Sequence, residues 1–150
     1  MDPKLIEKRK LELDNFVNES FAVNTDFASR LGLENPFEIL MNFESLKDFM
    51  FTTVHNFMKH QKITSEDRVW MITRLGYLLG EYFKEKYAGY WTVNEAPDSP
   101  QYGHYVIHAK SPSGNAHYPI NVFGAATELV EQEDERDLIQ LVTEIEAVIQ

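Results

Sequence analysis

Apolar positions in the first half of the chain recur at helical spacing, and in the stretch from Tyr90 to Phe123 they alternate. Residues 3–18 place Leu5, Ile6, Leu13, Phe16 and Val17 on a loose helical face opposite a charged side. Thr25 predicts a cap for a short helix over 26–31 that Gly32 would close. Asn35-Pro36 pairs an N-cap residue with proline at a first helical position. Ser45 and Asp48 have the spacing of a capping box, which predicts a helix over 46–60 carrying Leu46, Phe49, Met50, Val54, Phe57 and Met58. Thr64 and Asp67 repeat that spacing ahead of a helix over 65–87, with Val69, Trp70, Ile72, Leu75, Leu78, Leu79, Tyr82 and Phe83. Apolar residues on so much of its circumference place this helix at the centre of the fold. Gly76 and Gly80 lie one turn apart on it, at a cost of roughly 1 kcal/mol each relative to alanine. Such a ridge predicts the close approach of another backbone, and pressure of the helix on the meander that begins at Trp91.

Ala88-Gly89 ends the helix, and the period changes to two. Strands are expected over 90–95, 104–110 and 116–123. A turn region lies at 96–103, and Ser111-Pro112-Ser113-Gly114 fits a type I turn. Pro119 cannot donate to a ladder, which predicts an edge strand or an interruption. A short helical piece near 125–131 and an amphipathic helix near 134–149, with Leu138, Leu141, Val142, Ile145 and Ile149 on one face, close the chain. The expectation is one α+β domain over residues 1–150. Its helical N-terminal half and Gly-ridged central helix pack on a three-stranded antiparallel meander, followed by a C-terminal amphipathic helix.

Charge changes this picture at the C-terminal end. The net charge is −10, and residues 125–150 hold eight acids against Arg136 alone, or −7 of that total. A surface of this sign repels phosphate backbones, which argues against nucleic acid, and favours encounter with a basic protein. Apolar residues make up 43% of the chain, yet no run reaches the roughly 18 residues needed to span a bilayer. No membrane partner is expected. The start, MDPKLIEKRK, lacks the apolar core of a signal peptide, and cysteine is absent. A cytoplasmic protein is expected, although a cysteine-free chain also suits export by a route without a signal peptide.

The histidines and acids offer little chemistry. His104 and His108 share a strand face but stand roughly 13 Å apart, too far to chelate one ion. A simple hairpin at 111–114 would set His108 opposite His117, a pair able to hold a metal or sense pH, with a structural pair the favoured reading. His55 and His60 point to different helix faces. Glu81 is the one acid in the apolar part of the central helix, expected at the helix edge in a solvent pair with Lys84, while Glu85 reads as surface. There is no G-x-S-x-G, no phosphate loop and no cysteine nucleophile, so no catalytic residue, metal ligand or cofactor is assigned.

Partner-binding candidates are Glu128, Glu131, Glu133, Asp134, Glu135 and Asp137, with Tyr102 and Tyr105. The two tyrosines come from a dense aromatic group that includes Tyr87, Tyr90, Trp91 and Tyr118; core packing is its favoured reading, and an interface or a small-molecule groove the alternative. The function expected is a non-enzymatic module that binds a basic protein. A small-molecule or metal-binding module using the strand histidines is the alternative.

The run from Leu75 to Asp137 resembles a family of small bacterial proteins of unknown function. In that family an LG-x-x-LGE helix leads to a G-x-W strand, a meander and a proline-containing strand ahead of a charged C-terminal helix. The matching residues are Leu75, Gly76, Leu79, Gly80, Glu81, Gly89, Trp91 and Pro119; after Pro119, INVFGAATEL stands where the pattern has a basic stretch. Such proteins are similar in size and charge to immunity proteins that neutralise secreted bacterial toxins, and the resemblance implies that class of function.

Overall fold

A computed structural model describes residues 2–114, 116–132 and 134–149. The chain is α+β: helices α1 (Pro3–Leu11), α2 (Leu13–Arg30), α3 (Glu38–Met41), α4 (Phe43–Asp48), α5 (His55–His60), α6 (Arg68–Lys86), α7 (Val122–Glu131) and α8 (Leu138–Ile149), with strands β1 (Tyr90–Val93), β2 (Tyr105–Lys110) and β3 (His117–Ile120). A π-helical segment, Phe49–Val54, joins α4 to α5.

The helix expected to start at Thr25 does not exist as a separate element. Helix α2 runs through that position, and the Thr25 hydroxyl donates back to Phe21 O at 3.0 Å, as a mid-helix threonine does. Burial of Asn24, Phe27 and Ala28 continues the helix past its weak former. Gly32 (φ +92°) does close it: its N–H reaches Ser29 O at 3.0 Å, and Leu33 N–H reaches Ala28 O at 3.0 Å.

The cap assigned to Ser45 belongs to Asn42. Asn42 has the extended backbone of an N-cap, and its Oδ1 accepts from Glu44 N at 2.9 Å and Ser45 N at 3.4 Å. The single helix expected over 46–60 is divided by the π segment, which buries Phe49, Met50 and Val54. Thr64 and Asp67 do join as expected, Thr64 Oγ1 accepting from Asp67 N at 3.3 Å, although regular helix begins only at Arg68.

Helix α6 is the axis of the fold. Every residue from Leu75 to Phe83 is buried, and α6 packs most extensively against α7. Its glycine ridge receives rings and not a backbone. A Cβ at Gly76 would lie 2.2 Å from Phe123 Cδ1, and one at Gly80 would lie 2.1 Å from Trp91 Cζ2. Phe16 of α2 completes this aromatic seam, edge-on to Trp91 at 5.0 Å and stacked on Tyr105 at 4.1 Å.

The left-handed residue that ends α6 is Ala88 (φ +48°), after which Gly89 N–H returns to Lys84 O at 2.9 Å. Gly89 is needed for space instead: a Cβ there would lie 2.6 Å from the His108 carbonyl oxygen. Left-handed backbone costs a residue with a Cβ about 1–2 kcal/mol. Ala88→Gly is therefore expected to raise stability by about 1 kcal/mol in a denaturant melt, and a fall would show that Ala88 makes contacts worth more than its strain.

The sheet order is β1-β2-β3, antiparallel throughout, so β3 with Pro119 is an outer strand as expected. The turn at Ser111–Gly114 forms, with Gly114 N–H on Ser111 O at 2.9 Å. Gly114 is left-handed (φ +75°), and the ladder resumes only where Ser111 N–H meets Ala116 O. The offset moves pairing by two residues from the simple hairpin: His108 faces Pro119, and His117 faces Lys110. Helix α1 lies against β1 and is tied to the start of β2, where Arg9 Nη1 donates to Gly103 O at 2.5 Å and Tyr105 Oη donates to Arg9 O at 2.9 Å.

Candidate partner-binding surface

Folding sorts the acidic tail into different environments. Glu131 pairs with Arg68. Asp137 accepts from Gln140 N at 2.9 Å at the start of α8 and stands 4.0 Å from His55 Nδ1. Glu146 is turned inward, taking Lys86 Nζ at 2.5 Å and the Tyr87 hydroxyl. Burial, and then that carboxylate, push the Tyr87 hydroxyl pKa up. Arg136, the tail's only base, is buried; its Nε and Nη2 donate to Val130 O at 3.1 and 3.0 Å, and its Nη1 donates to Gln61 O at 2.8 Å. Arg136 therefore braces the α7–α8 loop against the end of α5 and neutralises nothing at the surface.

The remaining acids converge. Glu128, Asp134, Glu135, Asp137 and Glu144 line a depression of about 490 Å³ between α7, α8 and their loop. Asp134 and Glu135 also border a second depression with Lys59, His60 and Lys62, so the acidic field is strongest on the Glu128–Glu144 side. Glu133 lies outside the described residues.

Beside this depression runs an apolar groove of about 380 Å³ between the outer strand β3 and helices α7 and α8, with Tyr118, Ile120, Leu141, Ile145 and Val148 among its walls. Glu128 and Leu141 line both hollows, so the two form one continuous surface. No lysine or arginine is among the described residues that line either. The groove was not anticipated. Its signal in the sequence is a second apolar row on the last helix, Leu141, Ile145 and Val148, beside the row that enters the core; Val148 is 68% exposed.

The two tyrosines separate from the acids. Tyr105 belongs to the aromatic seam with Phe16. Tyr102 is half-buried in the turn that contains Gln101, a residue of the groove wall.

Glu81 is not at the exposed helix edge expected for it. Its side chain is 2% exposed; Oε1 is 3.5 Å from Lys84 Nζ and Oε2 has no partner. Burial raises its pKa, with Lys84 opposing. A carboxyl sealed in this way cannot meet a substrate from solvent. His108 and His117 do come together despite the shifted register, Nε2 to Nδ1 at 2.9 Å, diagonally across β2 and β3. Burial, then His117 and Lys110, lower the His108 pKa. His104 lies outside the strand expected to carry it and is exposed.

No protein-family model, curated protein or solved structure matches the chain. Among the described residues no helix is long and apolar enough to cross a membrane, and no three His, Asp or Glu side chains are grouped to hold a metal ion.

Proposed function

We propose that this protein is a non-enzymatic binding module, of the bacterial immunity type, that engages a basic protein partner or toxin across the groove and the acidic depression. The observation that carries the reading is their continuity at Glu128 and Leu141. A partner segment with an apolar face and flanking lysines or arginines would bury the former against Ile145 and Val148 and place the latter beside Glu128 and Glu144. Apolar contact supplies affinity, and the acids supply orientation and rate of encounter.

A synthetic amphipathic Lys/Leu helical peptide tests this by NMR titration, with a Glu/Leu peptide of the same pattern as control. The expected result is shifts at Tyr118, Ile145 and Val148 with the basic peptide alone, weakening as salt is added. Replacing Glu128, Asp134, Glu135 and Glu144 by their amides should weaken binding about tenfold or more. Val148→Asp should also weaken it. Absence of binding, or shifts scattered away from the groove, rejects the reading. In the cell, an adjacent toxin gene whose basic product is captured by the wild type and not by these variants is the expected counterpart.

A further inference from the structure

The outer face of the sheet carries a second arrangement, independent of the groove. His108 on the central strand and His117 on β3 hold their facing nitrogens 2.9 Å apart, with His117 exposed and His108 half-buried. Tyr90, the β1 residue paired with His108, stacks on its ring at 5.1 Å and 20°. Both rings therefore project from a hydrogen-bonded ladder, and one is held flat from behind. We propose that His108 Nε2 and His117 Nδ1 form a two-imidazole site for a late divalent transition-metal ion, copper(II) foremost.

The donor set and its spacing favour one class of ion. Metal–nitrogen bonds of about 2.0–2.1 Å place two donors about 2.9 Å apart when they meet at a right angle, and about 3.3 Å apart at a tetrahedral angle. The 2.9 Å of the free pair is a hydrogen-bond distance, so both rings must turn their lone pairs onto a shared ion; nitrogens already this close reach adjacent corners of a tetragonal plane, the geometry of copper(II) and nickel(II), with the least separation. Neutral imidazoles without a carboxylate also disfavour calcium and magnesium, which take oxygen ligands. Lys110, opposite His117 on the same face, adds a positive charge that keeps the site weak. Water fills the remaining positions.

In the free pair one facing nitrogen carries the hydrogen donated to the other. To bind metal, that ring must move its proton to its far nitrogen, leaving two lone pairs for the ion and releasing no net proton from a neutral pair.

Copper(II) titration of the full chain, followed by calorimetry and electron paramagnetic resonance, tests the site. The expected result is one ion per chain with an axial spectrum showing two nitrogen couplings. His108→Gln and His117→Gln should each weaken binding about tenfold or more and leave one coupling, while melts of both variants stay near wild type. Zinc should bind more weakly than copper. Binding unchanged by both substitutions, a single nitrogen coupling in the wild type, or no copper binding overturns the proposal. Because neither histidine lines the groove, failure here leaves the peptide titration untouched.

Discussion

Gly80→Leu should destabilise the protein by about 2 kcal/mol or more, although leucine is the better helix former. The gain in helix propensity is about 1 kcal/mol. Against it stands the overlap of any Cβ with Trp91 Cζ2 at 2.1 Å. Trp91 cannot easily give way: it is 5% exposed and fixed by Phe16, Tyr77 and Phe123. Overpacking costs typically about 1–3 kcal/mol and sometimes more; a whole leucine driven against a fixed ring takes the upper figure, which less the propensity gain leaves about 2 kcal/mol. For a chain of this size the melting temperature should drop by roughly 5 °C or more. Gly80→Ala in a Trp91→Leu background should cost less than Gly80→Ala alone, because the ring that the methyl meets is gone. An unchanged or raised melting temperature for Gly80→Leu would refute the contact.

The second large effect concerns Glu81. Helices α2 and α6 run antiparallel, since Phe21 lies under the Lys84 ammonium, Asn24 Nδ2 donates to Tyr77 O at 3.3 Å, and Phe27 meets Trp70. One further turn on each helix leads to Ser20 and to Glu81, at matching levels of this antiparallel pair. Ser20 Oγ, Asn24 Oδ1 and Glu81 Oε2 are all buried and unpartnered, one hydroxyl donor against two acceptor oxygens when Glu81 is ionised. A protonated Glu81 supplies a second donor; an ionised one adds an acceptor and a buried charge. Its pKa in the folded chain is raised above the ordinary 4.5 by burial. The associated stability is complete below the unfolded value and is lost as pH rises through the folded value. Wild-type stability should therefore decline as pH climbs from about 4.5, an effect absent from Glu81→Gln, whose amide brings N–H donors at every pH. Above the folded pKa the variant should be the more stable by about 1–3 kcal/mol, the range for relieving a buried unsatisfied group. Parallel pH curves for the two proteins in urea melts would refute this reading.

Legibility in the sequence followed the range of the interactions involved. The central helix, the turn at 111–114 and the amphipathic last helix are dictated by local spacing, and the structure contains them. The sequence reads less plainly where distant residues, neighbouring elements or backbone angles decide. Thr25 is a poor interior residue for a helix, but the core claimed Phe27 and Ala28, and the helix continued. Asn42 and Ser45 are both good caps, and only the preceding turn of α3 decides for Asn42. Gly114 shifted the strand pairing through its backbone, which side-chain alternation does not report. Glu81 has Lys84 three residues on, the usual mark of a surface pair, but α2 covers that side of the helix. As for the site, its acids were legible as a charge excess, whereas the groove exists only because β3, α7 and α8 meet.

The outer strand carries one more consequence. Ser111 and Ala116 form a hydrogen-bonded pair, so Ala109–Tyr118 and Ile107–Ile120, two and four residues further along, share their parity. The backbone groups of His117 and Pro119 therefore point away from the sheet, and Pro119 has no N–H to offer. The β3 border therefore keeps the His117 N–H and C=O and the Pro119 C=O but lacks one donor, so a strand added there would lose a rung of its ladder. Restoring that donor in Pro119→Val should raise self-association in light scattering, and an unchanged signal would show that the proline does not blunt this border.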